Sequence, residues 1–178
     1  MSNLTIYATN FHASDNNDQA FYFGTAEKFE AKRETNITYQ FLFVDGSRKQ
    51  VCFSALMGIQ QGNVSEWFGL MNQYIKLNDD RRAAIHWLTY KLPRGCGIQN
   101  AIPLSKKVSL FHGNAYDYVV EFVNTEFNMS HQLGHLAKYF DYAEYQFDLQ
   151  RGHKIDNVVF GNLEYTVTNA DSFNIHGI

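Results

Sequence analysis

Two stretches in the last third of the chain decide how it is built: Gly113-Asn-Ala-Tyr-Asp-Tyr-Val-Val-Glu-Phe122 and Leu136-Ala-Lys-Tyr-Phe-Asp-Tyr-Ala-Glu-Tyr-Gln-Phe-Asp-Leu149. Aromatic rings are interleaved there with carboxylates. The rings can fill a core, but an Asp or Glu cannot be buried unpaired without a large desolvation cost. Both stretches therefore predict elements that turn rings inward and acids outward. Carboxylates along one side of a stiff helix form a surface for something basic, and a protein partner fits such a surface better than a small substrate.

The turn chemistry of Gly113-Asn114 predicts a helix from 115 to about 127, and a second helix is expected over roughly 130–150. In the second, Asp141, Glu144 and Asp148 stand at i, i+3 and i+7, which is one helix face. Their axial steps would be about 4.5 and 6 Å. Phosphates on one strand of a duplex follow at about 3.4 Å per nucleotide. Asp117 and Glu121 repeat the arrangement at i, i+4. An ordinary amphipathic helix also carries a charged outer face, so spacing alone does not assign a function.

Upstream, the first 60 residues read as β. Residues 4–9 and 37–44 have strand patterns, and Asp15-Asn-Asn-Asp18 has loop chemistry. Asp45-Gly46 predicts a hairpin turn into a strand over 50–55. Residues 26–33 fit a short helix. The middle reads as a helical hairpin. Val64, Phe68, Met71 and Ile75 follow a helical period behind an N-cap at Asn63, with Glu66 at the capping-box position. A second helix begins at Asn78-Asp-Asp80, carries Ala84, Ile85, Trp87 and Leu88, and stops at Pro93 and Gly95. Residues 107–111 are expected as a strand, and 157–160 with 163–168 as a hairpin around Gly161-Asn162. The result is an α+β chain of small subdomains: a β-rich segment over 1–60, a central helical segment over 61–104, and an αβ segment with acidic helices over 105–178.

The chain has 178 residues, 45% of them hydrophobic and 16% aromatic, enough for a packed core and unlike a disordered composition. The net charge of −3 hides an uneven distribution. Residues 1–60 carry −1, residues 61–114 carry +4 and residues 115–178 carry −6. A basic middle and an acidic end favour head-to-tail contact or a one-sided surface for a basic partner. The start, Met-Ser-Asn-Leu-Thr-Ile-Tyr, has neither a basic nor an apolar leader region, and no run of 18 apolar residues occurs. A cytoplasmic location with no membrane partner is expected. Cys52 and Cys96 are then reduced thiols, and the sequons at Asn36, Asn63 and Asn128 carry no meaning.

Few motifs point to catalysis. His131 and His135 are spaced as on a zinc helix, but Gln132 stands where the zincin acid belongs, and a third ligand would have to come from Asp141 or His112. Cys96 lies between glycines near Arg94, with no catalytic signature around it. There is no nucleophile elbow, P-loop or dinucleotide fingerprint. No cofactor, metal or enzymatic activity is expected. An enzyme using His112, His131 or His135 beside a carboxylate is the competing reading, separable by whether inhibition of a target saturates at a 1:1 ratio. Arg81, Arg82, Lys91, Arg94, Lys106 and Lys107 could instead form a nucleic-acid-binding module. Nucleic acid is not expected as a direct partner, because the whole chain is acidic and lacks a groove-reading motif.

A family resemblance adds to this. Tyr139-Phe-Asp-Tyr-Ala-Glu-Tyr-Gln-Phe-Asp-Leu149, preceded by Leu136 and followed by a short β segment, resembles the C-terminal signature of the ArdA antirestriction proteins. Gly113 to Phe122 is similar to the helix before that signature. Ile6-Tyr-Ala-Thr-Asn-Phe11, with Asn16 beyond it, resembles the family's opening strand and loop. The resemblance is best over residues 113–165 and fair over 4–17. It implies an elongated homodimeric protein of a phage or mobile element, with three small subdomains in line. Such a protein imitates bent duplex DNA and occupies the DNA groove of a host restriction-modification enzyme. Carried over, Asp141 and Asp148 match the signature. Asp117, Glu121 and Glu144 complete the mimic face by helix geometry, and Tyr142 and Tyr145 would add contact area if exposed. Family members are strongly acidic, whereas this chain carries only −3. A short mimic segment, or a CRISPR effector as target, is therefore an alternative. Reversing Asp141, Glu144 and Asp148 together to Lys is expected to abolish target binding and leave the fold intact, as read by binding and circular dichroism.

Overall fold

The structure is a computed structural model and describes residues 4–12, 20–91, 96–132 and 134–173, without the side chains of Met129 and Ser130. The expected loop at 15–18 and the helix stop at Pro93 and Gly95 lie outside the described residues, as does Arg94. The chain divides into two compact units, Met1–Leu77 and Asn78–Ile178. It is α+β, with helices and two small antiparallel sheets. The division falls inside the segment 61–104 that the sequence groups as one helical subdomain.

In the first unit, β1 (Thr5–Asn10) is the central strand between β2 (Phe21–Phe23) and β3 (Tyr39–Asp45). Ile6 and Ala8 alternate inward along β1 and are fully buried, the period-two signature of a sheet with one face covered. Helix α1 (Ala26–Lys32) is capped by the Thr25 hydroxyl, which accepts from the Lys28 N–H at 3.2 Å. It places Phe29 among the rings of Phe21, Phe23, Tyr39 and Phe41, with centroids 5.1–5.9 Å away. Helix α3 (Val64–Tyr74) closes this core, with Trp67 against Phe53 and Phe68 against Phe23. The Trp67 indole finds its polar partner in the Met57 carbonyl at 2.7 Å.

The expected strand over 50–55 is instead helix α2 (Arg48–Leu56). Asp45-Gly46 does not turn a hairpin. The Asp45 carboxylate accepts from the Gly46 N–H at 2.7 Å, and Ser47 becomes an N-cap in extended backbone. The Gln50 side chain reaches back to the Ser47 N–H at 2.7 Å, a capping box that commits the next residues to a helix. Asn63 does sit at the N-cap position of α3, but its side chain accepts from the Gln60 N–H at 2.7 Å and closes the preceding 3-10 turn.

The second unit begins with α4 (Asp79–Lys91), where the Asn78 side chain accepts from the Arg81 N–H at 3.0 Å. Arg81 then donates to the Ser105 hydroxyl at 2.8 Å and to the Ile102 carbonyl at 3.1 Å, binding α4 to the end of α5 (Ile98–Leu104). No expectation covered α5. The strand expected at 107–111 is shorter and later: a 3-10 turn over Ser105–Lys107 precedes β4 (Leu110–His112). The terminal hairpin is as expected. β5 (Asp156–Phe160) and β6 (Leu163–Val167) turn at Gly161-Asn162, with Gly161 at φ +65°, and β6 is central, also pairing with β4. Helices α3 and α4, which the sequence pairs as a hairpin, each have packing partners in their own unit: α1 and α2 for α3, α5 and β5 for α4.

The long helix expected over 130–150 is broken. After α6 (Ala115–Glu126) come a short helix α7 (Met129–Gln132), a 3-10 turn over Gly134–Tyr139 and α8 (Tyr142–Arg151). Asn128 at φ +44° and Gly134 at φ +51° adopt left-handed backbone that ends helical runs. In the 134–139 turn only Ala137 is even half-buried, so a continuous helix there would have no packed face to stabilise it.

On α4, the half-buried His86 packs against Tyr90 and Phe160 at centroid distances of 4.6 and 5.8 Å, and burial pushes its pKa below the ordinary 6.5. The folded state therefore binds fewer protons than the unfolded chain in this range. His86's contribution to stability is fully present above pH 6.5 and is lost as pH falls through the depressed folded value. Urea titrations from pH 7.5 to 5 are expected to show wild-type stability falling more than that of His86→Gln.

Candidate functional site

The ring-and-carboxylate stretches form one packed layer. Ala115, Val119 and Val123 point inward from α6 and form a core with Ile155. Phe140, Tyr142, Tyr145 and Leu149 pack on that core from the α8 side, together with Tyr118 and Phe122 of α6. Inward positions on α8 recur at three and four residues (142, 145, 149), an amphipathic period. The rings of Phe140 and Tyr145 meet edge-on at 5.7 Å. Burial raises the pKa of the Tyr118 phenol, which keeps its proton inside this layer.

All five predicted mimic residues are exposed: Asp117 and Glu121 on α6, Asp141 before α8, and Glu144 and Asp148 on it. They are not equivalent. Asp141 is the N-cap of α8 and not a member of its face; its carboxylate accepts from the Glu144 N–H at 3.0 Å. Asp117 accepts from the Asn114 amide at 2.8 Å, while its own N–H donates back to Asn114 at 3.0 Å, capping α6. Asp148 is paired with Arg151 at 2.7 Å, and the Arg151 guanidinium also lies 5.5 Å from the Phe147 ring centre. The carboxylates of Glu121 and Glu144 have no ion pair or side-chain hydrogen bond among the described residues. The i, i+3, i+7 row reduces to Glu144 and Asp148 on one helix, about 6 Å apart along its axis.

Tyr142 and Tyr145, the expected contact rings, are half-buried against the core. The exposed rings among the described residues of 115–151 are Phe127 at 43%, Tyr116 at 46%, Phe147 at 54% and Tyr139 at 72%. Their sequence signal is position: Tyr116 precedes the outward Asp117, and Phe147 lies three residues after Glu144 and beside Asp148, on the outer side of each helix. Reading rings as core material by type alone conceals this.

Among the described residues the histidines of the alternative readings are dispersed. His131 lies in α7 and His135 in the following 3-10 turn, so they are not one turn apart on a single helix. Among the described residues no group of three or more His, Cys, Asp or Glu side chains could hold a metal ion. Burial pushes the Cys96 thiol up, away from a reactive thiolate. His112 Nε2 lies 3.3 Å from Asp80 at an exposed position, beside Tyr165. Among the described residues the buried Tyr165 hydroxyl has no hydrogen-bond partner, and its pKa is raised by burial first and by Asp80 and Asp79 after it. Much of the basic middle has internal work. Arg81 holds α5, Arg82 is buried and paired with Asp79, and Lys91 pairs with Asp156 at 3.1 Å, whose carboxylate also accepts from the Trp87 indole. Lys106 and Lys107 remain exposed.

No protein-family model, curated protein or solved structure matches this chain. Among the described residues no helix is long and apolar enough to cross a membrane.

The cap and the free acid are separable by stability. Asp141→Ala is expected to cost about 1 kcal/mol by exposing the α8 N-terminus. Glu144→Ala is expected to change stability by less than about 0.5 kcal/mol. Urea denaturation monitored by circular dichroism measures both.

Proposed function

We propose that this protein acts by stoichiometric binding, presenting the outer surface of α6 and α8 to a basic nucleic-acid-binding cleft of a host defence nuclease. The carrying observation is the exposure of Asp117, Glu121, Asp141, Glu144 and Asp148 in a segment, 115–151, with six acidic and only two basic residues. Carboxylates fixed outward by a packed ring layer lose little conformational freedom on docking, which favours affinity. Glu121 and Glu144 carry the electrostatic attraction in this reading. Asp117 and Asp141 shape the helix starts, and Asp148 is partly neutralised by Arg151. Tyr116, Tyr139 and Phe147 supply the rings that dominate contact energy at interfaces.

The resemblance to the antirestriction proteins supports a restriction-modification enzyme of the host cytoplasm as the target, with a CRISPR effector as the alternative within the same mode of action. A low overall charge fits a short imitation of nucleic acid rather than a full-length one, because each neutralised phosphate contributes to a groove's affinity. No catalytic step belongs to this reading. The internal contacts of Arg81, Arg82 and Lys91 weigh against a nucleic-acid-binding role for the basic middle.

The test avoids the capping residue. Glu121→Lys with Glu144→Lys is expected to weaken inhibition of the target nuclease at least tenfold, with an unchanged circular dichroism spectrum. Wild-type inhibition should saturate at a 1:1 ratio and weaken as salt rises from 50 to 300 mM. Unchanged inhibition by the double variant, or inhibition far below stoichiometry, would contradict the proposal.

A further inference from the structure

In the sheet of the first unit, β3 is an edge strand that pairs only with β1 among the described residues. The Phe11 N–H donates to the Thr38 carbonyl at 2.8 Å, which fixes the alternation of the β1–β3 ladder. Residues 38, 40 and 42 point their backbone groups at β1, so those of Tyr39, Phe41 and Phe43 point away from it. At Tyr39 the vacancy is filled by a side chain. The Gln61 amide accepts from the Tyr39 N–H and donates to the Ile37 carbonyl, both at 3.0 Å, as a neighbouring strand's backbone would. Among the described residues nothing pairs with the outward backbone groups of Phe41 and Phe43.

Beside this opening lies a groove of about 480 Å³, lined by Phe11, Gln40, Phe41, Ile59, Gln60 and Gln61 among others. None of its lining residues is charged. Unpaired strand edges template the addition of another strand, and proteins ordinarily blunt them with charge, Pro or a covering element. Among the described residues the blunting stops at Gln61.

We infer that the β3 edge at Phe41 and Phe43 is a docking site for an extended, uncharged peptide strand of a partner protein. The strand forms backbone hydrogen bonds with these two residues and seats an apolar side chain in the groove. A charged side chain placed there would lose hydration without gaining a partner, so the uncharged lining selects an uncharged strand. A second copy fits less well. Two-fold pairing of Phe41 with Phe43 of the copy would bring the copy's Asp45 opposite Tyr39, where Gln61 already occupies the N–H. The site is independent of the acidic face.

The probe is a displayed library of random octapeptides selected on the full chain, with enriched peptides synthesised for binding. Enriched sequences are expected to be poor in charged residues and to slow hydrogen exchange at the Phe41 and Phe43 amides. Ile59→Glu, which puts a charge in the groove wall, is expected to weaken them at least tenfold. If that variant does not fold, exchange on the wild-type chain decides alone. No enrichment, or enriched peptides that leave both amides unprotected, would overturn the proposal. Protection of both amides by raised protein concentration without peptide would overturn it in favour of a second copy.

Discussion

The cost of removing a carboxylate from water organises the second unit. Six acids share the 115–151 segment with a dense set of rings. Only one arrangement satisfies both: the rings of α6 and α8 meet across Val119, Val123 and Ile155, and the acids face solvent. Everything proposed about function depends on that sorting. The acids are held outward by the core beneath them, so the basic cleft of the proposal would meet charges already in place.

The same carboxylates also divide their labour. Asp141 satisfies a backbone N–H at the start of α8, and Asp117 accepts from the side-chain amide of Asn114, the residue that caps α6, so both are structural before they are functional. Asp148 has a cationic neighbour one turn later. Among the described residues, a surface of five acids is thus chemically a surface of two without a side-chain partner, Glu121 and Glu144, with three partly committed. That difference sets which substitutions report on binding and which report on folding. In the first unit a comparable substitution of roles occurs at Gln61, whose side-chain amide takes the place of a strand for one step of the β3 edge.

Much of the architecture was legible in the chain. β1 shows its alternation, Gly161-Asn162 marks its hairpin, and Asn114 announces α6 with a side chain that caps it. The exposure of the five acids follows from desolvation alone. The errors have local causes. Asp45-Gly46 resembles a hairpin turn, but Ser47 and Gln50 form a capping box, and reciprocal side-chain bonds outweigh the β-forming Val51, Cys52 and Phe53. The break between residues 132 and 142 was hidden because Gly134 reads as a tolerated helix glycine until its φ of +51° is known. The i, i+3, i+7 spacing places Asp141 on a helix face, whereas it is the residue that starts the helix. The α4–α5 link through Arg81 and Ser105 has no local sequence signal, since its partners are 24 residues apart.

Zero-length carbodiimide cross-linking of the complex with the proposed target nuclease, read by peptide mass spectrometry, tests the acidic-face reading most directly. Cross-links from Glu121 and Glu144 to lysines inside the nuclease's nucleic-acid cleft are the predicted result. Cross-links confined to other carboxylates, or to lysines outside the cleft, would contradict it.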